Sequence, residues 1–461
     1  MKTKIYPNHN TVRYFFIACL VLLSLNSCKQ LIDNNPAKTD LLSQEVFKDS
    51  LAVKPALIGM YANLAGTQAF TVNCSLFPAM SADELLFVGN NYDPFVKNAL
   101  LPTQENINPL WANPYSVIYQ ANSIIEGLAS GSNMTEGFKI RAVAESRFMR
   151  AFCHFYLVNF FGDVPLVLTT DVEVNKNSPR SAAAVVYEQI IQDLLFAQEH
   201  LPANYMASGD ERVRANKWVA TALLARVYLY TRNWAEAERH ASLLLDNNSL
   251  FVMPADLNAV FTPTSREAIW QLYNGLEGLT EIARQVLPSM QSPTPKFVFT
   301  EGLEDAFEDG DARKTAWTAN ISYQGKSYTY PTKYKSLSAG ANAEYLTVFR
   351  LAEQFLIRAE ARAQQSNISG AKADIFAVRD RSNLGVPTAN DKDGLLLAIE
   401  KERRVELNSE WGHRWFDLRR TGVINSVLAA KPGWKPDAAL YPVPQIQRNN
   451  NPTLSQNLGY N

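Results

Sequence analysis

The chain is poor in the residues from which disulfide frameworks and metal centres are made, with 4 cysteines and 5 histidines in 461 residues. The histidines (His9, His154, His200, His240, His413) are scattered, with no two at metal-ligand spacing, so no zinc site is readable. There is no Gly-x-Ser-x-Gly elbow, phosphate-binding loop or dinucleotide fingerprint, which leaves enzyme readings without a motif and implies no cofactor. A charge excess is also missing: 44 Lys and Arg against 45 Asp and Glu give −1, which offers no support for a nucleic-acid partner. Apolar runs are short. The one at Phe15–Leu25 is about half the length that a membrane-spanning helix needs. The composition itself, 47% hydrophobic and 19% charged, is that of a folded globular chain of one large domain or two to three ordinary ones.

The first residues carry a processing signal. Lys2, Lys4 and Arg13 precede Phe15–Leu25, and the run ends in Leu25-Asn26-Ser27-Cys28, which resembles a bacterial lipobox. Residues 1–27 are therefore expected to be a lipoprotein signal peptide, with Cys28 the lipidated first residue of the mature chain. Removing them takes away three positive charges and no acid, moving the formal charge from −1 to −4. Lys29 follows Cys28 where an inner-membrane retention signal has Asp, so an outer-membrane destination is expected. Two or three acyl chains anchor firmly, at about 0.8 kcal/mol per buried methylene. With Cys19 cleaved and Cys28 acylated, Cys74 and Cys153 remain, and the apolar helical setting of Cys153 favours buried thiols over a disulfide.

After a polar tether to residue 43, helical periodicity dominates. Apolar residues recur at three- and four-residue spacing near 44–66, 111–130, 136–161, 181–200, 214–230, 234–246, 345–365, 369–382 and 394–411. Trp218–Leu245 follows a tetratricopeptide pattern: Leu224, Ala225 and Tyr228 on one helix, a polar turn at Arg232-Asn233, then Ala237 and Ala241, the small residues admitting close helix approach. Arg147–Phe161 with Val186–Leu201, and Phe355–Ala363 with Ala371–Val378, read the same way. The expected fold is all-α, built of tetratricopeptide-like helix pairs in one domain over 44–461. Between about 250 and 345 Gly, Pro, Ser, Thr and Tyr rise and the periodicity fades, which predicts a loop-rich insert where binding groups tend to sit. The stretch Lys431–Asn461 reads as extended chain wrapped on the surface.

Two long motifs then suggest a family. Residues 144–166 form an Ala-Glu-rich helix with Arg150-Ala151 that ends in Phe161-Gly162-Asp163-Val164-Pro165-Leu166, and this resembles the SusD/RagB signature. The block Glu402-Arg403-Arg404-Val405-Glu406-Leu407 followed by Gly412-His413-Arg414-Trp415-Phe416-Asp417-Leu418-Arg419-Arg420 is similar to the family's second signature, and Tyr441-Pro442-Val443-Pro444 through Tyr460 to its tail. Trp111–Asn122 and Asp309–Arg313 extend the likeness over essentially the whole mature chain. The resemblance implies a SusD-like α-α superhelix tethered at the outer face of the outer membrane. It would act as a lid on a SusC-like TonB-dependent transporter, capturing a glycan or, in some members, a peptide.

Candidate site residues follow from what a sugar binder needs: rings that lie against C–H faces and polar groups that bond hydroxyls in a preformed cleft. Trp111, Trp270, Trp317, Tyr323, Tyr328 and Tyr330 are the aromatic candidates, the tyrosines favoured by their place in the insert. Trp218 and Trp234 read as repeat core, and Trp411 and Trp415 belong to the second signature. Asp83 and Glu84 resemble a family position near the ligand face. The carboxylates Glu402, Glu406 and Glu410 are expected to form an ion-pair network with neighbouring arginines, not a glycosidase pair. The acidic run Glu301–Asp311 suggests calcium, but Arg313 falls where a calcium loop starting at Asp309 wants Asp or Asn, so no metal site is assigned. Two further readings stand beside the binder: a lipid-anchored glycoside hydrolase and a tetratricopeptide-like interaction scaffold.

Overall fold

The computed structural model describes residues 47–460 apart from 67, 131–132, 274–277, 291–292 and 339–342. The expected signal peptide, Cys28 and the whole of the expected tether lie outside the described residues. No helix among the described residues is long and apolar enough to cross a membrane.

Helices α1 (Ser50–Gly66) and α2 (Asn73–Ser81) lead into strand β1 (Leu85–Phe87) and the long helices α3 (Asn108–Ser130) and α4 (Glu136–Phe161). Helices α5 (Ala183–His200), α6 (Lys217–Tyr230) and α7 (Trp234–Leu245) follow. Beyond strands β2 (Ala268–Leu272) to β6 (Leu346–Arg350) come α8 (Leu351–Gln364), α9 (Ile368–Asp380), α10 (Lys392–Glu406) and α11 (His413–Arg420). From α3 to α10 each helix packs on the next, and α8 also packs on α10, so the expected repeat pairs form one stacked array. Ala220, Ala222, Ala225, Ala237 and Ala241 are buried where α6 meets α7, and Ala359, Ala363 and Ala371 where α8 meets α9.

The turns of the two later pairs repeat each other in detail. Arg232 and Ser366 each take a positive φ, at 60° and 64°, and in each case the following asparagine caps the next helix. Asn233 accepts from Glu236 N, and Asn367 from Gly370 N. Between layers, buried arginines reach carboxylates on neighbouring helices. Arg150 (α4) makes two bonds of 2.8 Å to Asp193 (α5) and a third of 2.8 Å to Asn122 (α3). Arg226 (α6) pairs with Glu353 (α8), and Arg358 (α8) with Asp374 (α9). A buried charge is tolerated only when so satisfied, and these forks fix the helix register. Cys74 and Cys153 are free and buried, and burial pushes both thiols upward.

The C-terminal stretch departs from a surface wrap. Tyr441 is fully buried, its N–H donates to Phe160 O (2.9 Å), and its ring meets Phe160 and Trp415 at 5.3 and 5.7 Å. Asn457 then donates to Phe161 O and Tyr441 O at 2.9 and 2.7 Å. The strap thus plugs the end of α4 and completes the core. The sequence concealed this because Pro and Asn richness signals extended chain without saying what that chain covers.

The second signature makes a tight corner between α10 and α11, with Ser409, Trp411 and Gly412 at φ 57°, 46° and 74°. A Cβ on Gly412 would lie 3.0 Å from Pro78 Cγ and 3.1 Å from Cys74 O, so side chain and backbone space both demand glycine. Gly412→Ala is expected to lower unfolding free energy by about 2 kcal/mol or more, since the left-handed penalty of 1–2 kcal/mol adds to the crowding. Urea midpoints unchanged from wild type would contradict this.

Candidate functional site

The insert is less loop-like than expected. Between β2 and β6 it contains strand β3 (Phe297–Phe299), paired antiparallel with β1, and a hairpin of β4 (Thr318–Tyr323) and β5 (Lys326–Pro331). Strand β3 lies beside β5, which brings the β1 corner and the hairpin into one neighbourhood.

The hairpin turn is Tyr323-Gln324-Gly325-Lys326. Gln324 and Gly325 have φ 51° and 76°, the two positive values of a type I′ turn whose twist suits a two-residue hairpin. The register pairs Tyr330 with Ala319, Tyr328 with Ile321 and Lys326 with Tyr323. Residues directly opposite share a face and alternate residues do too, so Tyr323, Tyr328, Tyr330, Ile321 and Lys326 all lie on one side. From the Lys326 pair to the Tyr330 pair is four residues, about 13 Å at the usual rise. The opposite side is polar, with Thr329 Oγ1 donating to Asn320 Oδ1 at 2.8 Å. Tyr323 is exposed and Tyr328 and Tyr330 are half-buried. Partial burial raises the Tyr330 phenol.

Both roots of the hairpin enter a buried ion network. Before β4, Arg313 donates to Glu402 (2.6 Å), Glu406 (2.8 Å) and Asp311 (2.8 Å). After β5, Lys333 Nζ donates to Glu410 Oε1 (2.6 Å), Glu406 O (2.8 Å) and Asn408 O (2.9 Å). Arg350 bonds Glu406, Glu410 and Glu267, and Arg381 bonds Glu267 and Glu406. Burial alone would raise the Glu406 carboxyl, but Arg381, Arg350 and Arg313 together hold it well below the usual range. The carboxylates were legible as a network, but the partners were not. Arg313, Lys333, Arg350 and Arg381 lie outside the signature block and converge only in three dimensions.

The three tryptophan candidates are corrected by burial. Trp317, 1% exposed, roofs this network, with Lys333 Nζ 5.0 Å from its ring and its Nε1 donating to Leu257 O at 3.0 Å. Trp270 is enclosed by Phe148, Phe152 and Phe349, and Trp111 packs on Tyr115 and Phe161. None of the three presents a face to solvent, because a large flat ring inside a helical chain lowers free energy most by filling the core.

Asp83 and Glu84 also serve structure. Arg414 grips Asp83 with bonds of 2.7 and 2.8 Å, and Arg404 adds a third contact at 2.9 Å. Burial works against the Asp83 charge, yet these guanidiniums keep the carboxyl below its ordinary value. Backbone oxygens of both residues accept from Thr300, at 2.7 and 2.9 Å, which fastens β3 to the β1 corner. Glu84 is buried, and burial first, then the Asp83 charge, raises it to about 8. The folded protein therefore holds a proton that the unfolded chain releases above about pH 4.5, so this group's stabilisation is lost as pH rises from there through 8. Glu84→Gln, which cannot ionise, is expected to lose a few kcal/mol less stability than wild type between pH 5 and 9. Parallel urea midpoints for the two proteins across that range would refute it.

Sequence reading missed Phe87 and Tyr92. Both are half-buried and pack over the buried Phe297, Phe87 to Tyr92 at 4.7 Å and Tyr92 stacked on Phe297 at 5.9 Å. Its signal was an aromatic after the turn residues Gly89-Asn90-Asn91. The hairpin's signal was the alternation on either side of Gln324-Gly325. Another concavity, about 690 Å³, lies between the end of α1, the 207–214 loop and the helix Glu281–Val286, with Tyr273 on its wall. It holds none of the candidates. Among the described residues no three His, Cys, Asp or Glu gather as metal ligands. Glu308 in the acidic run is bonded to Arg379 and Lys401, and Asp311 to Arg313.

Two family models match the chain: one described as starch-binding, associating with the outer membrane, over residues 33–229, and the SusD family over residues 296–460. SusD-like proteins of Formosa agariphila are 24% and 25% identical, covering 91% of this chain and 91% of the first relative, and 97% and 100% for the second. Among solved structures, a SusD superfamily protein from Bacteroides vulgatus superposes with TM-score 0.77 at 23% identity, over 90% of this chain and 100% of its own. A laminarin-binding SusD-like protein does so with TM-score 0.75 at 23% identity, over the same shares. The stacked helix pairs, both signature blocks and these matches agree: the chain belongs to the SusD/RagB family.

Proposed function

We propose that this protein is a lipid-anchored, cell-surface binder of an oligomeric glycan, held on the tyrosine face of the β4–β5 hairpin and delivered to a SusC-like TonB-dependent transporter. The observation that carries the reading is the register that puts Tyr323, Tyr328 and Tyr330 on one face. Rings spaced along about 13 Å suit a chain of several sugars better than a single one. The roots of the hairpin are fixed by buried charge, so the platform is pre-organised and little entropy is lost on binding. The family description as starch-binding at the outer membrane and a laminarin-binding relative support a glycan over a peptide.

Binding without hydrolysis is favoured by the state of the carboxylates. In a cleft of about 860 Å³ lined by α8, α10 and α11, Glu360, Glu400 and Asp417 are already bonded to Arg420, Arg414 and Arg403, which leaves Asp393 as the one lining carboxylate without an ion pair among the described residues. A glycosidase needs one carboxyl free to protonate and another free to attack or activate water. Titrating residues 29–461 with glycan and peptide panels by calorimetry, and assaying for new reducing ends, tests the proposal. Glycan binding without cleavage is expected. Peptide binding alone, or release of reducing ends, would overturn it.

A further inference from the structure

We propose that the glycan this hairpin takes is acidic, bearing a carboxylate or sulfate that pairs with Lys326. The inference rests on the reading of the hairpin as the sugar platform. Lys326 shares the tyrosine face, and its Nζ stands 5.1 Å from the centroid of the Tyr328 ring. Among the described residues it forms no ion pair with any carboxylate, although it is exposed and charged. From Ala312 to Ala343 the sequence has no Asp or Glu at all, yet it carries Arg313, Lys314, Lys326, Lys333 and Lys335. Arg313 and Lys333 are neutralised at the hairpin roots by Glu402, Glu406 and Glu410. The charge left at the outer end of the hairpin is therefore positive.

The position of the ammonium decides what the platform accepts. A cation over a ring occupies the place where the C–H face of a sugar would stack. A neutral sugar has to displace it, and its C–H contact brings no counter-charge to the displaced ammonium. An acidic sugar brings a counter-charge beside a surface of low polarity, where the pair is stronger than in open water.

The test is calorimetry of wild type, Lys326→Gln and Tyr328→Ala against an oligogalacturonate, its methyl ester, a sulfated galactan oligosaccharide and a neutral β-1,3-glucan oligosaccharide. Wild type is expected to prefer at least one acidic ligand over the ester and the glucan, more weakly as salt rises. Lys326→Gln should weaken that ligand about fivefold and leave the neutral one bound at least as tightly as in wild type. The uronate and sulfate arms say which anion is read. Equal binding of acid and ester, no binding of any acidic ligand, or indifference to Lys326→Gln would overturn the proposal. In those cases, loss of glucan binding in Tyr328→Ala would leave the platform reading standing, and its retention would remove that reading as well.

Discussion

Glu406→Gln is expected to destabilise the protein by about 3–5 kcal/mol, a large share of the roughly 5–15 kcal/mol that holds a typical protein folded. Glu406 is fully buried and accepts from Arg313, Arg350 and Arg381. The amide keeps the shape but removes the charge that balances three guanidiniums, each of which then stays buried with less than its complement of acceptors. Replacing a whole buried ion cluster with apolar groups can be harmless, whereas removing one central partner is not. The depressed Glu406 carboxyl also gives a pH direction. Its stabilisation is complete above about pH 4.5, the unfolded value, and is lost as pH falls towards the folded one. Denaturant midpoints for Glu406→Gln and for the exposed Glu301→Gln check this, and similar midpoints for the two variants would contradict it.

The double substitution Tyr328→Ala/Tyr330→Ala is expected to weaken glycan binding about 30-fold or more while leaving stability within about 1 kcal/mol of wild type. Each half-buried ring contributes on the order of 1–2 kcal/mol through C–H contact and excluded water, and adjacent rings hold adjacent sugars. Stability is expected to be spared because the rings stand on a two-stranded ribbon whose roots carry the buried ion pairs. Calorimetric affinity beside a urea midpoint separates the two effects. Unchanged affinity would mean the stripe is not a platform. A collapse of stability would mean the rings are core after all.

These expectations show where the sequence speaks plainly and where it does not. Helix pairs were legible because their periodicity and alanines are local: Leu224, Ala225 and Tyr228 against Ala237 and Ala241 define an interface within a stretch of 18 residues. The Asn233 and Asn367 caps follow the same local logic. Burial of aromatics was not legible. Trp317 and Tyr323 are six residues apart in the same insert, yet one roofs the ion network and the other faces solvent. Which is which depends on Arg350, Arg381 and Lys333, none of which is a local neighbour of Trp317 in the chain. The Asp83-Glu84 pair was expected near a ligand face, whereas Asp83 is held in ion pairs by Arg414 and Arg404, which lie more than 300 residues away in the chain. The tyrosine stripe was recognised as residues and not as geometry, because a shared face requires the Gln324-Gly325 turn to set the register.

The hairpin face is proposed to hold the sugar. A crystal structure of the protein with whichever glycan of the panel binds tightest tests it most directly. Sugar rings are expected to lie along Tyr328 and Tyr330 on the side shared with Lys326. Sugar found instead in the concavity beside Tyr273, with the hairpin face empty, would contradict it.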